Sequence, residues 1–360
     1  VPRLRRKDIL VANKFAGINY NGIWAAEGKP KNVVDSNGDY GDEKEDFHIC
    51  GSESSGIVWA VGSDVTEFQV GDEVCIGGAQ FDEACPLIAN GVDPCFSPTY
   101  RIWGYEGNWG AFAQFSRAHV QQCFKRPGFL SWEESAAFSA TGVTAYRMLH
   151  HWEGNKIKEG DVVLIWGGAG GLGIPTIQIA KAAGAIPIAV VSDDRKGQIC
   201  IREGAKGFIN RNNFSHWGSI GQMDEKSYRR WIAKATKFRR QIWSIVGETR
   251  DPDIVVEHPG RDTLPTSLFV CAPGGMVVLC GATTGYMADV DLRFLWLSQK
   301  RVQGCHAGTA EDCKKYIAMM RKDDMHPVIA KVFDWDQLVE GHEMLAQNTG
   351  TSGKYVVKIL

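Results

Sequence analysis

The chain carries 360 residues, with 40 Lys and Arg against 42 Asp and Glu for a formal net charge of −2. That length predicts two domains, and the balanced charge excludes a nucleic-acid binder, which needs a clustered basic excess. No apolar run approaches the roughly 18 to 20 residues that cross a bilayer, and the opening VPRLRRKDIL lacks the apolar stretch of a signal peptide, so a cytoplasmic protein with no membrane partner is expected.

The first 140 residues alternate short apolar runs with Gly and Asp turns, in DILVANKFAGINY, SGIVWAVGSDV, GDEVCIGG and AFAQFSRAHVQQCFKRP. This rhythm predicts an antiparallel β domain. At Ser131 the pattern changes: Ser131 and Glu134 have capping-box spacing and open the helical face of SWEESAAFSATGVTAYRMLHHW. Strands then alternate with helices through DVVLIWGG, IPTIQIAKAAG, IPIAVVS, DRKGQICIREG, KGFINR, PDIVVEHPG and GGMVVLCGAT. Apolar strands without alternation, separated by amphipathic helices, predict a parallel sheet covered on both faces, a doubly wound α/β fold. The 40 or so residues between KGFINR and PDIVVEH exceed a usual crossover and predict a helical insertion near 212–250. The end of the chain returns to strand, helix, strand. It is expected to complete the first domain, giving a β-rich domain over 1–140 and 305–360 and a nucleotide-binding domain over 141–304. Ten cysteines without a C-x-x-C pair fit reduced thiols better than disulfides or a zinc knuckle; Cys85 and Cys95 are the only plausible loop pair.

VVLIWGGAGGLG sets Gly168, Gly170 and Gly173 in G-x-G-x-x-G spacing, with Gly171 among them, after a strand and before a helix. In that context the glycines permit a tight turn and let a pyrophosphate approach a helix N-terminus. At the end of the next strand, SDDRKG offers Ser192, Arg195 and Lys196 to a 2′-phosphate, while Asp193 and Asp194 suit the ribose hydroxyls of NADH. The match of Arg and Lys to phosphate favours NADPH. In RIWGYEGNWG, Glu106 stands among aromatics and glycines, which is either a solvated loop or a carboxylate held in a cleft.

INYNGIW, GSESSGIVWAVG, GDEV, SPTYRIWGYE, TAYRML, IWGGAGGLG, EHPGR, DLRFLW and QKRVQGCH, in this domain order, resemble the crotonyl-CoA (enoyl-CoA) carboxylase/reductase family over nearly the whole chain. This is a zinc-free branch of the medium-chain dehydrogenase/reductase superfamily. The resemblance implies a GroES-like catalytic domain joined to a Rossmann domain. It also implies NADPH-dependent reduction of an α,β-unsaturated acyl-CoA with fixation of CO2, as from crotonyl-CoA to ethylmalonyl-CoA; the alternative is an enoyl-CoA reductase that only protonates.

Where zinc relatives carry Cys and a Gly-His-Glu motif, this chain has Asn19 and Ser52, so no metal is expected. The family's CO2 pocket falls on Asn21, Tyr105, Glu106 and His306. Asn21 would donate to a CO2 oxygen and His306 would do so through a water, while Glu106 orients that water or Asn21. Tyr105 would shield the pocket and contribute a backbone N–H. Trp103 to Gly107 would then form one wall of the pocket. Arg293 matches a position near the CoA adenosine phosphate, and Glu257 with His258 would line the nicotinamide crevice. After His306 the family continues with an aromatic, whereas this chain has Ala307, a smaller neighbour that would admit water. The resemblance further implies a homotetramer or homodimer, and family residues ahead of Val1.

Overall fold

The computed structural model describes residues 2–35, 45–348, 350 and 352–360. They fall into two compact units, Val1–Val143 with Ala307–Leu360, and Thr144–His306. The first unit begins with β1 (Asp8–Ile18), β2 (Ser54–Val61), β3 (Glu73–Ile76), the short pair β4 (Ala79–Gln80) and β5 (Arg101–Ile102), β6 (Phe115–His119) and β7 (Cys123–Lys125). The second unit holds β8 (Val162–Trp166), β9 (Ile186–Val191), β10 (Gly207–Asn210), β11 (Ile254–Glu257), β12 (Met276–Leu279) and β13 (Arg301–Gly304). The chain then returns to the first unit with β14 (Ile329–Phe333) and β15 (Lys354–Lys358).

In the first unit the sheet runs β14-β15-β1-β2-β3-β7, and β1 is long enough to serve two partners along one edge. Its first half pairs with β6, from Asp8↔His119 to Ala12↔Phe115, and its second half pairs with β15, from Phe15↔Lys358 to Ile18↔Tyr355. All pairings are antiparallel except β14 with β15. The last segment thus completes the first sheet. Alternate residues of these strands, Ile9, Val11, Val58, Val74, Ile76 and Val357 among them, close the core of this unit.

The second sheet has the order β10-β9-β8-β11-β12-β13, and every neighbouring pair is parallel. β8 is buried at all five positions, as a strand covered on both faces must be. The order reverses between β8 and β11, the switch point where open α/β sheets bind ligands at their strand ends.

One element departs from the sequence reading. The Ser131 capping box forms, with the Ser131 N–H donating to Glu134 Oε2 at 2.7 Å and the Glu134 N–H to Ser131 Oγ at 3.1 Å. Its helix, Trp132–Ser135, stops after one turn, and a second begins at Thr141. The break falls where the Ala140 N–H donates to Glu53 Oε2 at 2.8 Å and the Ser139 hydroxyl to the Ile76 carbonyl at 2.9 Å, long-range bonds that displace the helical ladder. Between β10 and β11, where a helical segment near 212–250 is expected, the extra length holds one 22-residue helix, Glu225–Val246. It is started by the Asp224 side chain, ended by left-handed Gly247, and buries Trp231, Ala235, Phe238 and Ile242 at helical spacing. Phe238 stacks on Trp166 of β8, so this segment is a lengthened crossover helix that covers the sheet.

Candidate active site

The turn after β8 is built by what its glycines cannot carry. A Cβ on Gly168 would stand 2.6 Å from Ala189 Cβ, and one on Gly173 2.4 Å from the Gly167 carbonyl. These two positions allow close packing of turn, strand and helix. At Gly170 the nearest atom to such a Cβ is the Gly167 carbonyl at 3.3 Å, and the residue is exposed. Gly170 thus leaves its backbone open just ahead of the helix Gly173–Ala182, the arrangement that lets a diphosphate reach a helix N-terminus. Gly171, half-buried, completes the turn.

The rim after β9 resolves the competition among its charges. Asp193 caps the helix Asp194–Glu203 by accepting from the Lys196 N–H at 2.9 Å, and Asp194 accepts from Asn210 Nδ2 at 2.9 Å. Each acid thus has at least one carboxylate oxygen engaged within the protein. Lys196 Nζ lies 3.2 Å from Ser192 Oγ, Asn212 Nδ2 donates to the Ser192 carbonyl at 2.6 Å, and Arg195 is exposed. A hydroxyl, an ammonium and a guanidinium on one short segment fit a phosphate ester. Asn210 and Asn212 escaped the sequence reading because only the folded sheet brings the end of β10 beside the end of β9.

At the end of β11, Glu257 is fully buried and accepts from the Gly260 N–H at 3.0 Å, Thr263 Oγ1 at 2.7 Å and Ser267 Oγ at 2.5 Å. Ser267 Oγ in turn accepts from the Trp166 indole at 2.8 Å, so the ends of β8 and β11 share one polar chain. Burial pushes the carboxyl up to about 7, and its donors pull the other way. His258 Nε2 lies 3.1 Å from the Trp166 carbonyl, which can only accept. The ring therefore carries its proton on Nε2, and burial lowers its pKa to about 4. A Cβ on Gly167 would meet this ring at 2.4 Å, which explains a fifth glycine in the turn that the spacing motif does not require.

In the first unit, β1 runs directly into the helix Tyr20–Ala26, on which Asn21 and Trp24 share a face. Asn21 Nδ2 lies 3.1 Å from Ser52 Oγ, and Trp24 packs on Tyr105 with ring centroids 6.5 Å apart. Tyr105 belongs to a small apolar cluster with Ala25 and Ile102, lined by Trp24, Cys50, Tyr100 and Ala307. Glu106 is half-buried, and its carboxylate accepts from the Ile102 N–H at 2.9 Å. It is thus held by the backbone four residues earlier. The glycines press this stretch onto its neighbour: a Cβ on Gly104, at φ +69°, would lie 1.9 Å from the Gly51 carbonyl. These contacts join Asn21 to Ser52 and its helix neighbour Trp24 to Tyr105, while Glu106 is held by the Ile102 backbone.

Two details correct the sequence reading. The Tyr105 backbone N–H donates to the Ile102 carbonyl at 3.1 Å, an acceptor shared with the N–H groups of Glu106 and Gly107, so it serves the turn and its ring alone faces the cluster. Trp103 is no pocket wall: it is 0 % exposed within the main core, and its indole donates to the Arg117 carbonyl at 3.1 Å. Alternation along this stretch sends Trp103 inward. Asn19, the N-cap position of the helix, makes no cap bond because its amide donates to Glu53 Oε1 at 2.8 Å and its carbonyl accepts from Lys354.

His306 is the last residue of the second unit and is exposed, while Ala307 after it packs on the Tyr105 cluster and Gly308 accepts from Tyr100 Oη at 3.2 Å. Arg293, on the helix Leu292–Trp296, is exposed and forked on Asp291, with Nε–Oδ1 at 2.9 Å and Nη2–Oδ2 at 2.7 Å. The ten cysteines are all free thiols.

A β-rich unit closed by both ends of the chain, beside a six-stranded doubly wound unit with a glycine turn at its switch point, is the two-domain plan of the alcohol dehydrogenase class. Family models agree: the alcohol dehydrogenase GroES-like domain matches residues 5–128, and the zinc-binding dehydrogenase model matches 171–322. Within that class the chain belongs to the crotonyl-CoA carboxylase/reductase family. It is 42% identical over 358 residues to the crotonyl-CoA carboxylase/reductase of Cereibacter sphaeroides, covering 99% of this chain and 82% of that one. A crotonyl-CoA carboxylase/reductase solved in complex with NADP superposes with a TM-score of 0.94 at 43% identity, covering 100% of this chain and 88% of the other. A 2-octenoyl-CoA carboxylase reductase solved with NADP and 2-octenoyl-CoA reaches 0.90 at 32% identity, covering 100% and 80%.

The zinc of the wider class does not fit these residues. Asn19 and Ser52 offer an amide and a hydroxyl in place of thiolate and imidazole. Both are engaged, Asn19 with Glu53 and Lys354 and Ser52 with Asn21, and the Lys354 ammonium already sits beside the one carboxylate, Glu53. Among the described residues no group of three or more His, Cys, Asp or Glu is placed to hold a metal ion.

Proposed function

We propose that this chain reduces an α,β-unsaturated acyl-CoA such as crotonyl-CoA with NADPH and fixes CO2 on the product, giving an alkylmalonyl-CoA such as ethylmalonyl-CoA. NADPH, when bound, would supply a hydride to the β-carbon of the enoyl thioester, leaving the π electron pair at the α-carbon as an enolate. The enolate closes a C–C bond to CO2, whose displaced electron pair becomes the new carboxylate. The observation that supports this reading is the Asn21–Ser52 hydrogen bond together with the packing of Trp24, on the same helix, against Tyr105.

CO2 is uncharged and offers weak acceptors, so holding it takes a few rigid donors away from water. Asn21 directs an N–H at one oxygen. The Tyr105 ring and Trp24 exclude solvent, Glu106 orients Asn21 or a bridging water, and His306 donates to the other oxygen through that water. Ser192, Arg195 and Lys196 hold the 2′-phosphate of the cofactor, and Gly168 to Gly173 hold its diphosphate. Arg293 meets the CoA phosphate in competition with Asp291, so its share of the affinity is small.

Assembly as a homodimer or homotetramer is supported by the edge strand β13 and the exposed Tyr286, Met287, Leu292, Trp296, Leu297 and Val302 of the second unit. Ten free thiols support a reducing, cytoplasmic setting. The second reading, a reductase that only protonates the enolate, draws on Ala307, whose small side chain leaves room for water.

The test is NADPH oxidation with crotonyl-CoA, with and without bicarbonate plus carbonic anhydrase, products being identified by mass. The carboxylated product should dominate when CO2 is present. Glu106→Ala and His306→Ala should then lower the ratio of carboxylated to protonated product by roughly 5- to 30-fold, the effect of one lost hydrogen bond of about 1 to 2 kcal/mol. Butyryl-CoA as sole product at saturating CO2 would establish the second reading.

A further inference from the structure

Two cross-links join the end of β1 to the start of β2. Asn19 Nδ2 donates to Glu53 Oε1 at 2.8 Å, and two residues further on Asn21 Nδ2 lies 3.1 Å from Ser52 Oγ. The first link is clamped by charge: Lys354 Nζ is 2.6 Å from Glu53 Oε1 and also reaches Asn19, while the Ala140 N–H donates to Glu53 Oε2 at 2.8 Å. All three side chains of this clamp are buried. The second link contains only an amide and a hydroxyl.

Ser52 is 1 % exposed and sits directly beside the clamped Glu53. Its backbone is backed by Gly78, where a Cβ would stand 3.2 Å from the Ser52 carbonyl. The hydroxyl is therefore delivered by rigid backbone. Its Oγ also lies 3.4 Å from Asn21 Oδ1, so it straddles the edge of the amide and holds the amide plane whichever way the group is flipped. An amide carries two N–H donors in one plane, and fixing that plane fixes where the second donor points.

We propose that Ser52 is a positioning residue for CO2 capture: its hydroxyl sets the plane of the Asn21 amide, and the Asn19–Glu53–Lys354 clamp holds Ser52 in place. The side chain that stands where the zinc relatives have a ligand here orients an organic donor. The proposal rests on the reading of Asn21 as a CO2 donor, and its test separates the two.

The measurement is the ratio of carboxylated to protonated product per NADPH consumed, with crotonyl-CoA and full-length protein. Ser52→Ala should lower that ratio by about fivefold and raise the KM for CO2, the double variant Ser52→Ala/Asn21→Ala should fall no further than Asn21→Ala alone, and the pair should couple non-additively. Ser52→Thr and Ser52→Val, equal in volume and differing by the hydroxyl, give the same comparison should the Ala variant fold poorly. Thr should keep the ratio and Val should lose it.

An unchanged ratio in Ser52→Ala beside a fallen one in Asn21→Ala would overturn the role of Ser52 while leaving the CO2 reading intact. An unchanged ratio in Asn21→Ala would overturn both. A loss of rate with the ratio preserved would mark Ser52 as structural only and would also overturn the proposal.

Discussion

Glu53 and Glu257 are both fully buried carboxylates, one in each unit, and they are held in opposite ways. Glu53 faces the Lys354 ammonium at 2.6 Å and bonds to residues drawn from three other segments, near 19, 140 and 354. Glu257 is met by one backbone N–H and two hydroxyls, all within ten residues of it. The first carboxylate is held by groups assembled from distant parts of the chain, and the second by donors close to it in sequence. The surroundings of Glu53 therefore depend on segments far apart in the chain, whereas the donors to Glu257 come from its own turn and the helix that follows.

The sharpest way to break this contrast is Lys354→Met, which leaves Glu53 buried without its cation. Removing one partner of a buried pair costs about 3 to 5 kcal/mol, so denaturant unfolding should shift by that amount. Adding Glu53→Gln should recover part of the loss, since the uncompensated charge then disappears. A loss under about 1 kcal/mol for Lys354→Met would show that the pair stays solvated and does not clamp the two segments.

The cofactor rim is the local counterpart. Arg195→Ala with Lys196→Ala should raise the KM for NADPH by at least about tenfold while leaving that for NADH nearly unchanged, each charge-assisted bond being worth roughly 1.5 to 3 kcal/mol. Because Asp193 and Asp194 are tied into the helix start and to Asn210, the variant should not become a good NADH enzyme. Equal changes in both KM values would remove the two cations from the site.

This contrast also explains how much the sequence disclosed. The glycine turn was legible because backbone conformation and packing space do its work, and those constraints leave glycines at fixed spacing. The parallel sheet was legible because a strand buried on both faces, such as β8, reads as an unbroken apolar run. The broken helix after Ser135 was not, because Glu53 takes the Ala140 N–H from 87 residues away. Trp103 and Tyr105 read alike as aromatics of one loop, yet one fills the main core and the other the small cluster, which only the chain path through Gly104 decides. Ser52 read as a missing ligand, and Lys354 as one cation among forty, until the fold set them beside Asn21 and Glu53.

Titration of Glu257 sharpens the comparison further. Its pKa is raised from 4.5 to about 7, so the folded state holds that proton more tightly than the unfolded chain. Its contribution to stability is full below about 4.5 and is lost as pH rises toward 7. His258, and also His216, which is buried among Phe214, Trp217, Trp231 and Phe238 with both ring nitrogens unpartnered, are lowered from 6.5 to about 4. Their contributions run the other way: stability is gained as pH rises from about 4 to 6.5. Two histidine slopes oppose one carboxylate slope, so wild-type unfolding free energy should still rise with pH between about 4.5 and 6.5, at about half the rate the histidines alone would give. Glu257→Gln deletes the falling arm, so the variant should gain about 1 to 3 kcal/mol relative to wild type between about pH 5 and pH 8. Parallel pH profiles for the two proteins would show that Glu257 is ionised throughout.

The smallest effect belongs to Ala307, the residue that links His306 to the Tyr105 cluster. It holds φ +55°, a left-handed conformation that costs a residue with a Cβ about 1 kcal/mol relative to glycine. Its methyl group packs against the cluster, and burying one such group recovers up to about 0.8 kcal/mol. Ala307→Gly should therefore change stability by less than about 0.5 kcal/mol, and by only a degree or so in Tm. The two terms separate in the products. Relief of strain leaves the Tyr105 ring where it is, but loss of the methyl opens a path for water beside the enolate, so protonated acyl-CoA should rise by about twofold while unfolding scarcely moves. If the variant is clearly stabilised and its product ratio is unchanged, the methyl plays no part in excluding water, and the small residue after His306 is an accommodation to the turn alone.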